Sequence, residues 1–144
     1  MFKHILLPTD GSEASLRAVH KGAELAKALS AEVTLMIVVE PFSVSHVVSG
    51  YKPDDDGLIP AAADTASHWL KAAQAVVDQY GIKSQQMVMQ QHKVHQCILE
   101  AAATSGADLI VMGTHGAGFV ERLLVGSETQ RVLAHTTIPV LILH

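Results

Sequence analysis

Residues 111–133, VMGTHGAGFVERLLVGSETQRVL, place a glycine-rich segment between two regular segments. The residues before it are strongly apolar, as in a buried strand, and those at its end have helical spacing. Glycines stand at positions 113, 116, 118 and 126, and Ser127 follows the last of them. Glycine loses much conformational entropy on folding, so this density indicates positive φ angles or a ligand that contacts the main chain.

Outward from this stretch, the chain alternates short apolar runs with segments of helical spacing. Runs such as EVTLMIVVE, residues 32–40, are nearly continuous in apolar and β-branched residues, as in strands covered on both faces. The pattern predicts strands over 2–7, 32–40, 83–90, 107–113 and 138–144, and helices from 14 onward, over 62–80, 94–105 and 127–134. Asp10 or Ser12 can cap the first helix. This alternation predicts a doubly wound parallel sheet with helices on both faces.

Composition limits the classes of function. With 144 residues, 49% of them hydrophobic and 17% charged, the chain fits one packed domain. A net charge of −4 argues against non-specific nucleic-acid binding, and the nine histidines and one cysteine show no zinc-ligand spacing. Cys97 is expected to fill the core. The apolar run in MFKHILLPTD is too short for a signal peptide or a membrane span, so we expect a cytoplasmic protein without a membrane partner.

The longest connection, residues 41–60, has no steady periodicity and contains three prolines. A connection of this length in a compact domain is usually functional or mobile. Glu40 and the run Asp54, Asp55 and Asp56 could contact a metal ion, but a solvated acidic loop is the favoured interpretation.

Two loops follow the carboxyl ends of predicted strands, where open parallel sheets bind their ligands. They are residues 8–12, PTDGS, and residues 113–127. If their strands are neighbours, the loops face each other across a crevice. The amides of Gly113, Gly116 and Gly126, with the N-terminus of the last helix, would then offer donors to a polyphosphate. Alternatively, the glycines only let the fourth strand pass close to the following helix.

The glycine pattern differs from two familiar phosphate-binding motifs. Phe119 stands where a Walker A loop has its lysine, and the order GxxGxG differs from the dinucleotide GxGxxG. Without that lysine, the charge of a triphosphate needs the Ser127 hydroxyl, Arg122 or His115, and a divalent metal. We therefore expect dependence on magnesium or manganese.

Four segments together resemble the universal stress protein family along essentially the whole chain: ILLPTDGSEAS, LMIVVEP, SGADLIVMGTHG and GSETQRVLAHTTIPVLIL. Nucleotide-binding members share a pattern of glycines followed by serine or threonine, which Gly113, Gly116, Gly126 and Ser127 match. The resemblance implies one domain over 1–144, with a Rossmann-like, five-stranded sheet in the order 3-2-1-4-5 and four helices, similar to the adenine nucleotide alpha hydrolases. It also implies ATP in the crevice and a homodimer.

The same resemblance gives roles to individual residues. Asp10 matches an aspartate that contacts the adenosine part, and Val38 matches a backbone position that lines the adenine. The candidate nucleotide-binding residues are Pro8, Thr9, Asp10, Val38, Met112, Gly113, His115, Gly116, Gly126, Ser127 and Glu128.

Several positions depart from the family pattern. His92 and Val94 replace a frequent glycine and proline before the third helix, and Ile37 replaces a frequent histidine, which loosens the fit near the pocket rim. Glu128 stands where small or apolar residues are common. Its carboxylate could compete with phosphate for the helix N-terminus, or point outward and stabilise the helix, which is the favoured interpretation.

These features favour an ATP-binding regulator whose nucleotide state alters binding to an unidentified protein partner. No catalytic set is visible, although slow hydrolysis or self-phosphorylation on Ser127 or Thr129 stays open. The alternative is a dimeric scaffold that binds no nucleotide and pairs through its last strand, which comprises Val140, Leu141, Ile142 and Leu143. A ligase or a flavin protein would need a further domain or motif.

Overall fold

A computed structural model describes residues 1–39, 60–91, 93–114 and 125–144. The elements in chain order are β1 (His4–Pro8), α1 (Glu13–Leu29), β2 (Glu32–Val39), α2 (Pro60–Asp78), β3 (Ser84–Gln90), α3 (Val94–Ser105), β4 (Leu109–Gly113), α4 (Ser127–His135) and β5 (Val140–Leu143). The predicted alternation of strands and helices is confirmed. Some strand ends differ. Ala107, for example, donates its amide to the Ala102 carbonyl (2.9 Å) at the end of α3 and does not join β4.

The five strands form one parallel sheet in the order β3-β2-β1-β4-β5. This confirms the predicted fold class and strand order. Pro8 of β1 lies opposite Met36 of β2, and Leu6 of β1 lies opposite Ile110 of β4. The winding direction therefore reverses between β1 and β4, and the carboxyl ends of these two strands are neighbours.

Side chains from both faces of the sheet are buried, which explains why the strands are nearly continuous in apolar residues. On one face, Leu7, Leu35 and Ile37 pack with residues of α1 and α2. On the other face, Met36 packs with residues of α3 and α4, including Cys97, whose side chain is fully buried as predicted. Burial also raises the pKa of the Cys97 thiol. Among the described residues, no helix combines the length and apolar character that a membrane crossing needs.

Asp108 joins the start of β1 to the start of β4. Its carboxylate accepts the amide N–H groups of Lys3 (2.9 Å) and His4 (3.0 Å). Partial burial raises the pKa of this carboxyl, but the amide hydrogen bonds outweigh it and hold the pKa below the ordinary value of 3.8. A carboxyl with a lowered folded-state pKa stabilises the fold above its unfolded-state pKa, and this contribution is lost as pH falls through the folded-state pKa.

We expect the variant Asp108→Ala to lower the free energy of unfolding by about 1–3 kcal/mol at neutral pH, because two amide donors lose a charged acceptor. The difference from the wild type should shrink when pH falls below the ordinary aspartate value. Denaturant unfolding at a series of pH values measures both effects. Asp78→Ala is the control, since the Asp78 carboxylate accepts a side-chain N–H from Gln74 (2.7 Å) on the same helix. A loss for Asp108→Ala that is constant with pH would contradict the assignment.

Candidate functional site

A cavity of about 560 Å³ opens at the carboxyl ends of β1 and β4. The volume is in the usual range for small-molecule sites. Its lining comes from β1 and the turn after it, from β2 and β4, and from the N-terminal parts of α1, α3 and α4. The lining residues are Pro8, Thr9, Asp10, Ser15, Met36, Val38, Val94, Ile98, Met112, Gly113, Val125, Gly126, Ser127, Glu128, Thr129 and Gln130.

Nine of the eleven predicted site residues lie in this lining. They are Pro8, Thr9, Asp10, Val38, Met112, Gly113, Gly126, Ser127 and Glu128. His115 and Gly116 lie outside the described residues, as do Arg122, Glu40, His92 and the run Asp54, Asp55 and Asp56. The structure thus brings the turn after β1 and the start of α4 to one crevice, as the loop positions predicted.

Several lining residues are not among the predicted nucleotide contacts. Met36 lies two positions before Val38 on β2, so the alternation of a strand puts both side chains on one face. Val94 and Ile98 are four apart on α3 and share a face of that helix. Their spacing could have revealed them, but only after the neighbouring face of the sheet was known.

The turn between β1 and α1 is fixed by a chain of hydrogen bonds. The Thr9 amide donates to the Met36 carbonyl (2.8 Å), and the Thr9 and Ser15 hydroxyls lie 3.0 Å apart. Ser12 is the N-cap of α1, because its hydroxyl accepts the Ser15 amide (3.1 Å). Asp10 accepts the Ser12 amide (2.9 Å) and thereby shapes the turn. Of the two capping residues suggested by the sequence, Ser12 fills the role.

Gly11, in the same turn, has a φ of +78°, a conformation that other residues adopt at a cost. A Cβ atom built on Gly11 would lie 2.2 Å from the Trp69 ring. Trp69 of α2 therefore packs directly on the turn that precedes α1. This contact agrees with the core-packing role that its position on α2 indicates.

Gly113 has a packing reason to lack a side chain. A Cβ atom there would lie 3.1 Å from the Ala14 carbonyl oxygen, which is closer than most real Cβ contacts. The end of β4 thus passes close to the first turn of α1. At Gly113, the absence of a side chain is therefore explained by close packing of the fourth strand on a helix. That helix is α1, whereas the sequence suggested the helix that follows the strand.

The amide of Gly126 is not available to a ligand. It donates to the Thr114 carbonyl at 2.6 Å, so its predicted role as a phosphate donor is wrong. Gly126 is the N-cap of α4 and makes no side-chain cap bond. The first helical bond runs from the Gln130 amide to the Gly126 carbonyl (3.0 Å). The first-turn amides of Ser127, Glu128 and Thr129 therefore stay open as donors within the described part of the chain.

The Glu128 side chain is directed to α3, a contact that neither of the two predicted alternatives included. Its Oε2 accepts the His95 amide at 2.9 Å and lies 3.4 Å from His95 Nδ1. Its Oε1 pairs with the Arg131 guanidinium on the next turn of α4. Lys93, the N-cap of α3, makes no side-chain cap bond. The Glu128 carboxylate accepts the His95 amide in its place, so a residue of α4 caps α3. The carboxylate is 34% exposed.

The described lining carries two carboxylates, those of Asp10 and Glu128, and no lysine, arginine or histidine. The positive end of α4 is therefore the main attraction for an anion in the described part of the site. Among the described residues, no three His, Cys, Asp or Glu side chains are grouped to hold a metal ion.

Val94 and Ile37, two residues that depart from the family pattern, lie in different parts of the structure. Val94 lines the cavity. Ile37 is 1% exposed and packs on the opposite face of the sheet, with α1 and α2. The expectation that Ile37 loosens the pocket rim is therefore wrong, because strand alternation turns this side chain away from Met36 and Val38.

The fold and the cavity define a class, the doubly wound α/β proteins with a ligand crevice at the switch point of the sheet. Within that class, the chain belongs to the universal stress protein family, whose family model matches residues 1–144.

Relatives with known names agree with this assignment. The chain is 34% identical to a universal stress protein of Methanocaldococcus jannaschii, over 99% of this chain and 82% of that protein. It is 33% identical to a universal stress protein of Thermus aquaticus, over 99% of this chain and 98% of that protein. The fold also resembles the crystal structure of a universal stress protein in complex with cAMP, with a TM-score of 0.76, 24% identity, and coverage of 99% and 97% of the two chains.

Proposed function

We propose that this protein binds ATP together with Mg²⁺ or Mn²⁺, and that the nucleotide state regulates its interaction with a protein partner in a stress response. One observation carries the proposal: the cavity at the switch point is lined by the apolar residues Met36, Val38 and Ile98 and reaches the N-terminus of α4, whose first-turn amides have no acceptor among the described residues. A purine needs the first feature, and a phosphate needs the second. The cAMP complex of a protein with this fold adds support for an adenine nucleotide.

The adenine ring fits the apolar wall of Met36, Val38, Val94 and Ile98. Asp10, at the end of β1, is exposed and carries a negative charge, so it suits ribose hydroxyl donors and would repel phosphates. The phosphates then lie at the start of α4, beside the Ser127 hydroxyl and the first-turn amides. We keep His115 and Gly116 as candidate contacts from the sequence pattern.

The metal ion fits this site as a partner of the nucleotide. Mg²⁺ is commonly held by one or two carboxylates together with substrate phosphates, and does not need a cage made only of protein. Asp10 and Glu128 are the carboxylates that line the described cavity. Bound with ATP, the ion would neutralise phosphate charge.

We also propose that the chain forms one domain over residues 1–144, acts in the cytoplasm, and pairs as a homodimer through β5. β5 is an edge strand in the described sheet, and Leu141 is among its more exposed large apolar side chains. Val140, Ile142 and Leu143 are half-buried. Pairing across a two-fold axis would cover this edge. A scaffold that dimerises this way without nucleotide is the alternative function.

The test begins with freshly purified protein, which is denatured so that any released small molecule can be identified by chromatography. The nucleotide-free protein is then titrated with ATP and Mg²⁺ in a calorimeter. We expect adenine nucleotide in the released fraction and saturable binding of one ATP per chain. Protein that releases no nucleotide and binds none would contradict the proposal and favour the scaffold.

A further inference from the structure

We propose that Glu128 is a specificity-determining residue that makes ATP binding depend on a divalent cation, while adenine ligands of low charge bind without one. The inference rests on the proposed function, because it assigns the charge that this site tolerates. It concerns a side chain of α4 that contacts α3, and it predicts an effect that grows with the charge of the ligand.

The position of Glu128 is fixed from two sides. On α3, the His95 amide N–H donates to its Oε2, and the His95 ring lies beside the same oxygen. On α4, Arg131 pairs with its Oε1. These contacts fix the carboxylate of a residue that lines the cavity next to Ser127, where phosphates would meet the first turn of the helix. The carboxylate therefore cannot turn away from a ligand without uncapping α3.

No positively charged side chain in the described lining balances the negative charge of the Glu128 carboxylate. Arg131 pairs directly with Glu128 but is 56% exposed and lies outside the lining, so this partly exposed pair offsets only part of the charge of the carboxylate. His95 Nδ1 is buried and makes no hydrogen bond within the described residues, and its 3.4 Å separation from Glu128 is an ion pair only when the ring is protonated. With Asp10, which also belongs to the lining, the charged side chains of the described lining are both negative and oppose the attraction of the α4 N-terminus for an anion.

This repulsion grows with each negative charge on the ligand. The repulsion is absent for adenosine, intermediate for AMP and largest for free ATP. A divalent cation bound to the phosphates neutralises two of their negative charges and so reduces this repulsion. The open amides of α4 are neutral donors and serve all phosphate-bearing ligands alike.

The experiment compares the wild type with Glu128→Gln. Glutamine keeps a carbonyl oxygen that can accept the His95 amide, so the cap of α3 is retained while the charge is lost. Calorimetric titrations with adenosine, AMP and ATP are run in EDTA and again with Mg²⁺. The control is Glu24→Gln on α1, which removes the same charge from a surface carboxylate paired with Lys21 and away from the cavity lining. Thermal unfolding checks that each variant is folded.

We expect Glu128→Gln to raise the affinity for metal-free ATP by about tenfold or more and to change the affinity for adenosine by less than about twofold. AMP should lie between them, and Mg²⁺ should reduce the gain for ATP. Glu24→Gln should match the wild type with every ligand. An equal effect on adenosine and ATP, or no effect on either, would overturn the role of Glu128. If the wild type binds none of the ligands with or without Mg²⁺, the proposed function itself fails.

Discussion

Replacing Val38 with phenylalanine is expected to weaken ATP binding by about tenfold to a hundredfold. The side chain of Val38 lines the cavity beside Met36, where we place the adenine ring. The added ring volume competes for that space, and overfilling a packed site costs about 1–3 kcal/mol. The affinity is measured by calorimetric titration with ATP and Mg²⁺.

Val88→Phe is the matched control for this prediction. Val88 lies on the edge strand β3 and is 53% exposed, so the same substitution there adds a ring on the surface. It should leave ATP affinity unchanged, and both variants should unfold near the wild-type temperature. If Val38→Phe binds ATP as tightly as Val88→Phe, the adenine does not lie against β2.

Replacing Gly11 with alanine is expected to lower the free energy of unfolding by about 2–4 kcal/mol. About 1 kcal/mol comes from the positive φ of +78°, and the rest comes from the clash between the new Cβ and the Trp69 ring. Denaturant unfolding measures the loss. Trp69 is the only tryptophan, so its fluorescence also reports whether the ring moves.

Gly106→Ala separates the two causes. Gly106 ends α3 with a φ of +72°, but a Cβ atom there would have no neighbour within 4 Å. Alanine at this position should cost only about 1 kcal/mol and leave the fluorescence unchanged. Equal losses for the two variants would mean that backbone strain alone acts at Gly11, and that Trp69 gives way without cost.

Most of the fold could be predicted because local patterns and topology agree. Apolar runs such as 32–40 and the stripe of α2 set the type of each element, and strict alternation leaves few sheet topologies. The order 3-2-1-4-5 came from the family resemblance, since periodicity alone does not say which strands are neighbours. Exact strand ends depend on ladder hydrogen bonds, which sequence does not show.

The candidate site was predictable at the level of loops and less so at the level of atoms. Loops at strand ends led directly to Thr9, Gly113 and Ser127. Whether a backbone amide can donate to a ligand depends on carbonyl groups that are distant in sequence, however. The Gly126 amide, for example, donates to the Thr114 carbonyl. The contact of Glu128 with α3 was not predicted for the same reason, because its partner His95 is 33 residues away in the chain.

We propose that the first turn of α4 holds the phosphates of an adenine nucleotide. It is tested most directly by titrating ¹⁵N-labelled protein with ATP and Mg²⁺ and following the backbone amide resonances by NMR. We expect saturable shifts of the Ser127 and Thr129 amides, together with those of Thr9 and Val38, while the amide of Gln85 at the far end of β3 stays unchanged. Saturable ATP binding that leaves the amides of Ser127 and Thr129 unshifted would contradict it.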